Sequence, residues 1–159
     1  MKHRGQQGFT LIEMMVTLSL LATLAAASLP LIEKVTQRHK EEQLQTALRQ
    51  IRQALDDHQR AANEGRIEKK ADEPGYPKSL KALTEGVVDI TSPNKRKIYF
   101  MRSLPRDPMC DCEGKSDEET WRVRSSNNEP GNFFPGLDVY DVSSSSRAYG
   151  LNGVPYAQW

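Results

Sequence analysis

The chain has 159 residues, a net charge of +1 and 7% aromatic residues, and shows no internal repeat, which together predict one modest domain. The near-neutral charge gives no strong field that would attract nucleic acid, so the composition indicates no nucleic-acid partner. The sequence contains no glycine-rich phosphate loop, no HExxH motif and no nucleophile elbow, and the protein is not expected to be an enzyme. The mean hydropathy of −0.66 indicates a polar domain with an apolar N-terminal segment attached.

The first element in the chain is an apolar run from Phe9 to Ile32, preceded by a short basic leader with Lys2 and Arg4. A helix of this length would span about 36 Å, which is enough to cross a hydrocarbon core of about 30 Å. Length and composition leave three interpretations open: a single-pass membrane anchor, a secretory signal peptide and a packing helix of a globular domain. The uniform apolar character of so long a run argues against the third.

Glu13 interrupts this run and helps to distinguish the three interpretations. An ionised carboxylate in a membrane helix costs about 2.5–3.5 kcal/mol on insertion scales, and neither an anchor nor a signal peptide gains from it. No Lys or Arg lies between Phe9 and Ile32, so the counter-charge must come from another chain or from processing. Cleavage after Gly8 would create one, because a free α-amino group at Phe9 is largely protonated at neutral pH. Glu13 is therefore expected to set the register between neighbouring subunits.

The sequence GFTLIE at residues 8–13, between a basic leader and an apolar run, resembles the N-terminal signal of type IV pilins and type II secretion pseudopilins. The resemblance implies that a prepilin peptidase cleaves after Gly8 and N-methylates the new N-terminus at Phe9. It also implies that Glu13 pairs with the N-terminus of a neighbouring subunit during assembly. Three segments follow from it: a cleaved leader peptide (1–8), a transmembrane and assembly helix (9–32) and a periplasmic pilin-like globular head (33–159).

An amphipathic helix is predicted beyond residue 33. Four large apolar residues recur at helical spacing with two alanines beside them, which indicates one buried face; they are Leu44, Leu48, Ile51 and Leu55, with Ala47 and Ala54. Gly65 is the predicted end of this helix. His39 and His58 lie on the same helix and are expected at the surface.

The rest of the chain predicts short strands. SLKAL from Ser79 indicates a short helix with Ser79 as its N-cap. KIYFMRSL, TWRVRS and GLDVYDV are rich in Val, Ile and aromatic residues between turn signals, which indicates strands. A helix followed by short strands close in sequence favours an α+β fold, in which the long helix packs on a small antiparallel β-sheet.

These later segments also resemble one member group of the same family. GYPKSLKAL at residues 75–83, LPRDP at 104–108 and DVYDV at 138–142 are similar to segments of the major (G-type) pseudopilin. Judged from its residues, LPRDP is a tight turn, because Pro fixes φ and Asp accepts local backbone hydrogen bonds.

The resemblance further implies a calcium site in the C-terminal loop, but the residues support it weakly. Calcium takes six to eight oxygen ligands, usually with carboxylates among them, and no acid follows Asp141. Asp138, Asp141 and Asn152 are the weak candidates, and Arg147 stands nearby. The alternative is a loop held by aromatic packing of Tyr149, Tyr156 and Trp159.

Cys110 and Cys112 form a C-x-C pair. Two cysteines are too few for a tetrahedral zinc site of the usual kind. Disulfides persist in the periplasm, so a local disulfide is favoured over two free thiols.

The resulting prediction is a structural subunit of a type II secretion pseudopilus, a helical periplasmic filament that drives protein export. The implied partners are further copies of the chain, minor pseudopilins, the prepilin peptidase, the inner-membrane assembly platform and the membrane. The chain would cross the bacterial inner membrane once, with its basic N-terminus cytoplasmic and its head periplasmic. Two alternatives stay open: a type IV pilus subunit for adhesion, motility or DNA uptake, and a membrane-tethered periplasmic binding domain.

Overall fold

The structure is a computed structural model that describes residues 9–70 and 72–159, except for the side chains of residues 27–31. The leader predicted at 1–8, with its cleavage site at Gly8, lies outside the described residues. The chain divides into two compact units, Met1–Arg38 and His39–Trp159, called here the N-terminal unit and the C-terminal unit. The boundary predicted between residues 32 and 33 stays a prediction.

The longest element is one helix, α1 (Leu11–Asn63). In the N-terminal unit, the large apolar side chains from Phe9 to Leu24 are all between 48% and 79% exposed. Within the residues that the structure describes, we find no helix with the length and apolar character that a membrane crossing requires. The membrane helix at 9–32 therefore stays a prediction.

In the C-terminal unit, α1 buries the face that the sequence predicts. Leu44, Ile51 and Leu55 are fully buried and Leu48 is nearly so, as expected for a 3.6-residue period. The helix ends close to the predicted stop: Gly65 has a φ of +72°, and its N–H donates to the Ala62 carbonyl oxygen at 3.1 Å. A left-handed residue just beyond the last turn is the usual way to satisfy terminal carbonyls.

The remaining elements are short, as the sequence predicts, but their bounds differ. They are α2 (Ala82–Glu85), β1 (Val87–Val88), β2 (Lys97–Ile98), β3 (Trp121–Arg124) and β4 (Asp141–Ser144), with single 3₁₀ turns at Glu118–Thr120 and Tyr156–Gln158. β1 pairs antiparallel with β2, and β3 pairs antiparallel with β4. The described residues thus form two two-stranded sheets where the sequence predicted a single small sheet.

Tertiary hydrogen bonds explain why the strands are shorter than predicted. In KIYFMRSL the pairing stops after Ile98, because the N–H groups of Phe100 and Met101 both donate to the Leu83 carbonyl oxygen at 3.0 Å. In GLDVYDV the ladder begins at Asp141, because the Val139 N–H donates to the Pro77 carbonyl oxygen at 2.8 Å. Backbone donors that serve other partners cannot extend a ladder.

The core of the C-terminal unit lies between α1 and the β3–β4 pair. The buried face of α1 packs against residues from α2, β3, β4 and the last turn; among them are Leu83, Trp121, Val142 and Tyr156. The α+β fold, with a long N-terminal helix and small antiparallel sheets, is confirmed.

Candidate processing and assembly site

The predicted processing and assembly residues stand at the beginning of α1. Thr10 precedes the first helical residue, and its Oγ1 accepts a hydrogen bond from the Glu13 N–H at 3.3 Å. The Thr10 carbonyl oxygen also accepts from the Met14 N–H at 3.2 Å. Thr10 is thus the N-cap of α1, and Phe9, which is 74% exposed, projects from the chain just before it.

Glu13 lies in the first turn of α1, where a negative charge interacts favourably with the helix dipole. The surrounding apolar side chains, including Ile12 and Val16, are more than half exposed. Among the described residues, no cation forms an ion pair with the Glu13 carboxylate. Phe9 lies just before the first turn of α1 and Glu13 lies within that turn, so both stand at the same end of the helix, while Gly8 lies outside the described residues.

The three calcium candidates already have protein partners. The Asp138 carboxylate accepts from both the hydroxyl and the N–H of Ser126 and from the Ser125 hydroxyl. The Asn152 side-chain oxygen accepts from the Val154 N–H at 3.0 Å. Asp138 thus ties the residues just before β4 to those just after β3, whereas the Asn152 bond is local to the C-terminal loop.

Asp141 is the candidate that is most fully engaged. Its carboxylate accepts from Arg52 Nε at 2.9 Å, from Arg124 Nη2 at 3.2 Å and from the Val142 N–H at 2.8 Å. Two guanidinium groups beside one carboxylate do not fit a divalent cation, which needs free oxygen ligands. Among the described residues, no three His, Cys, Asp or Glu side chains are grouped to hold a metal. The arrangement does not favour calcium, and the site stays an untested prediction.

Arg52 and Glu41 of α1 hold the C-terminal segment, a role that the sequence analysis missed. Arg52 Nη2 donates to the main-chain oxygens of Val142 at 3.0 Å and of Trp159 at 2.9 Å. The buried Glu41 carboxylate accepts from the Leu151 N–H and the Tyr156 hydroxyl, each at 2.8 Å. Glu41 stands three residues before Leu44 and therefore on the buried face, which is a signal that could have revealed it.

Aromatic packing supports the same segment in part. Tyr156 is buried and its ring meets that of Trp159 edge to face, with centroids 5.2 Å apart. Tyr149, in contrast, is 66% exposed. The segment is thus held mainly by Tyr156, Trp159 and the polar contacts from α1.

The LPRDP turn ties the chain to β4. The fully buried Asp107 carboxylate accepts from the Met109 N–H at 2.9 Å, from the Ser144 hydroxyl at 2.7 Å and from the Ser145 N–H at 3.1 Å. The local bond to Met109 was expected of Asp in a turn. The bonds to Ser144 and Ser145 add a long-range role, because they satisfy a buried charge that would otherwise be costly.

Cys110 and Cys112 lie next to this turn. Their Cα atoms are 5.2 Å apart, within the range that a disulfide spans, and the structure pairs them. The Ser145 hydroxyl contacts the Cys110 sulfur at 2.9 Å. The redox state in cells stays a prediction.

His58 corrects one expectation from the sequence. It was expected at the surface, yet it is only 6% exposed, because it follows Leu55 by three residues on the buried face of α1. Its Nδ1 donates to the Gly75 carbonyl oxygen at 2.9 Å, and its ring packs on Phe100. Burial lowers the pKa of the His58 imidazole, although the bond to Gly75 acts in the opposite direction.

Comparison with known protein families identifies one motif in the chain. Residues 3–29 match the family of the prokaryotic N-terminal methylation motif, a stretch that contains Gly8, Phe9 and Glu13. The curated proteins and the solved structures give no match.

Proposed function

We propose that this chain, whose methylation motif supports a type IV pilin-like protein, is a structural subunit of a type II secretion pseudopilus. After cleavage at Gly8 and N-methylation of Phe9 by a prepilin peptidase, copies leave the inner membrane. They then stack into a helical periplasmic filament that drives protein export. The C-terminal unit is the periplasmic part, and the basic leader keeps the N-terminus cytoplasmic.

Glu13 is the observation that carries this proposal. It is an acid in an apolar helix, and no described cation pairs with it. A carboxylate in such surroundings needs a counter-charge, and processing at Gly8 would supply one as the α-ammonium group of Phe9. Pairing between the Phe9 amine of one copy and Glu13 of the next sets one axial offset. Because the two surfaces differ, the contact repeats without closing, as a filament requires.

The exposed apolar side chains of α1 support the same arrangement. Large apolar residues such as Leu18, Leu21 and Leu24 are about 60% exposed or more, and an apolar surface of this extent marks an interaction site. The membrane before assembly, and neighbouring helices afterwards, would cover it. Minor pseudopilins and an inner-membrane assembly platform are the further partners of such a filament.

A type IV pilus subunit is the second candidate, because the motif is common to both systems. Filament location separates the two: a secretion subunit stays in the periplasm and its loss blocks protein export, whereas a pilus subunit extends from the cell. A tethered binding domain is the third candidate, and it would have no use for Glu13.

The first experiment is mass spectrometry of the mature protein from cells. We expect a chain that begins at Phe9 and carries one added methyl group. A chain that retains Met1, or one cut near Ser28 as a secretory signal would be, contradicts the proposal.

The second experiment replaces Glu13. Glu13→Gln removes the charge and preserves the size, and we expect at least a tenfold loss of filament with normal processing. Glu33→Gln is the matched control, since Glu33 is an exposed acid of the same helix, and it should assemble normally. Normal assembly of Glu13→Gln would favour the tethered domain.

A further inference from the structure

A groove runs along α1 in the C-terminal unit, between the helix and the segment from Phe100 to Pro108. Its first stretch, of about 410 Å³, lies beside Pro105, Arg106 and Pro108. Its second stretch, of about 570 Å³, lies beside Phe100 and Met101. Gln50 lines both stretches, so they are neighbours along α1.

Two arginines in the second stretch form no ion pair with any residue that the structure describes. Arg49 comes from α1 and Arg102 from the opposite wall, and both are exposed. Among the described residues, neither side chain forms a hydrogen bond or an ion pair. The acid that lines this stretch, Asp57, is already bonded to Gln53 at 3.1 Å and to Arg60 at 2.8 Å. The stretch is therefore suited to carboxylates, which guanidinium groups bind in a forked geometry.

The same chain carries two exposed carboxylates on the loop that contains Cys110 and Cys112. Asp111 and Glu113 flank Cys112, and both are exposed and without a hydrogen bond or ion pair to any described residue. Cys110 and Cys112 are paired, and the Arg106 guanidinium donates to the carbonyl oxygens of Cys112 and Lys115. A loop held in this way loses little conformational entropy when it binds.

We propose that the Cys110–Cys112 loop of one copy docks in the groove of the next copy, with Asp111 and Glu113 paired to Arg49 and Arg102. The inference rests on the proposed filament function and assigns a contact between C-terminal units. Arg106 lines the first stretch and holds the loop, whereas the two arginines line the second, about two helical turns farther along α1. Within the described residues of one copy these acids and arginines form no ion pair, so the pairing would join two copies. Loop and groove are different surfaces, so the contact propagates.

The test is a charge exchange in the full-length chain, expressed in cells that carry the assembly machinery. Arg49→Glu with Arg102→Glu, and separately Asp111→Lys with Glu113→Lys, should each lower the yield of sheared filaments at least tenfold. All four substitutions in one chain should restore at least half of the parental yield. Lys95→Glu with Arg96→Glu is the matched control, since it makes the same charge change on exposed residues outside the groove, and it should have no effect.

A second measurement does not depend on folding of the charge variants. Arg102→Lys in assembled filaments should give a carbodiimide cross-link to Asp111 or Glu113. Filaments of mixed isotope-labelled and unlabelled chains should show by mass spectrometry that the link joins two chains. Parental yield in both charge-reversed variants, or absence of the cross-link, overturns the docking contact while filaments still form. Two other results would overturn the proposed function and, with it, the docking contact. They are a mature chain that retains Met1 and normal assembly of Glu13→Gln.

Discussion

The two units use similar apolar residues on one helix in opposite ways. In the N-terminal unit, Leu21 and Leu24 are 62% and 66% exposed, whereas Leu44 and Leu55 of the C-terminal unit are 0% exposed. The C-terminal part of α1 separates an apolar face from a polar one and buries it against the rest of its own unit. The N-terminal part is apolar almost all round, a pattern that is stable only when other molecules cover it. The contrast teaches that one helix carries a buried face, which folds its own domain, and an exposed apolar part, which leaves its surface open to other molecules.

The largest expected effect comes from a substitution in the buried face of α1, in the C-terminal unit. Leu55→Ala should destabilise the C-terminal unit by about 2–5 kcal/mol, because it removes buried methyl groups and leaves a cavity. Leu21→Ala removes the same atoms from an exposed site and should leave unfolding of the C-terminal unit unchanged. The fluorescence of Trp121 and Trp159, which both lie in the C-terminal unit, measures both effects during denaturant unfolding of the full chain in detergent. Equal destabilisation by the two variants would show that the units do not differ in this way.

Arg52 offers a smaller test, which removes a polar link between α1 and the C-terminal segment of the same unit. Arg52→Lys retains the charge, but its single nitrogen cannot occupy both donor positions, Nε toward Asp141 and Nη2 toward Val142 and Trp159, and we expect a loss of about 1–2 kcal/mol. The C-terminal segment should also become more accessible to protease. Arg96→Lys is the matched control at an exposed site and should change neither. Unchanged protection in Arg52→Lys would mean that Glu41 and Tyr156 hold the segment without it.

The sequence predicted what depends on periodicity and local chemistry. The 3.6-residue spacing located the buried face of α1, Gly65 marked its end within two residues, and Asp107 was recognised in its turn. The processing motif was likewise local, and the family match covers it. Strand lengths and the partners of Asp141 could not be predicted, because they depend on donors distant in sequence, such as Leu83 for the strand end and Arg52 for the carboxylate. His58 was predicted at the surface, but it follows Leu55 by three residues and is buried, and the distant Gly75 carbonyl oxygen satisfies its polar ring.

The last prediction concerns His58, whose burial should make the stability of the C-terminal unit depend on pH. Burial lowers the pKa of its imidazole in the folded state, so the unfolded chain binds the proton more readily. Stability from His58 is therefore fully present above the unfolded pKa, near 6.5, and is lost as the pH falls below it, by at most about 1.4 kcal/mol per pH unit. His58→Asn, whose amide can still donate to Gly75, should flatten the dependence of unfolding free energy on pH between 7.5 and 5. His39→Asn, at an exposed position of the same helix, should keep the parental slope, and an unchanged slope in His58→Asn would contradict the assignment.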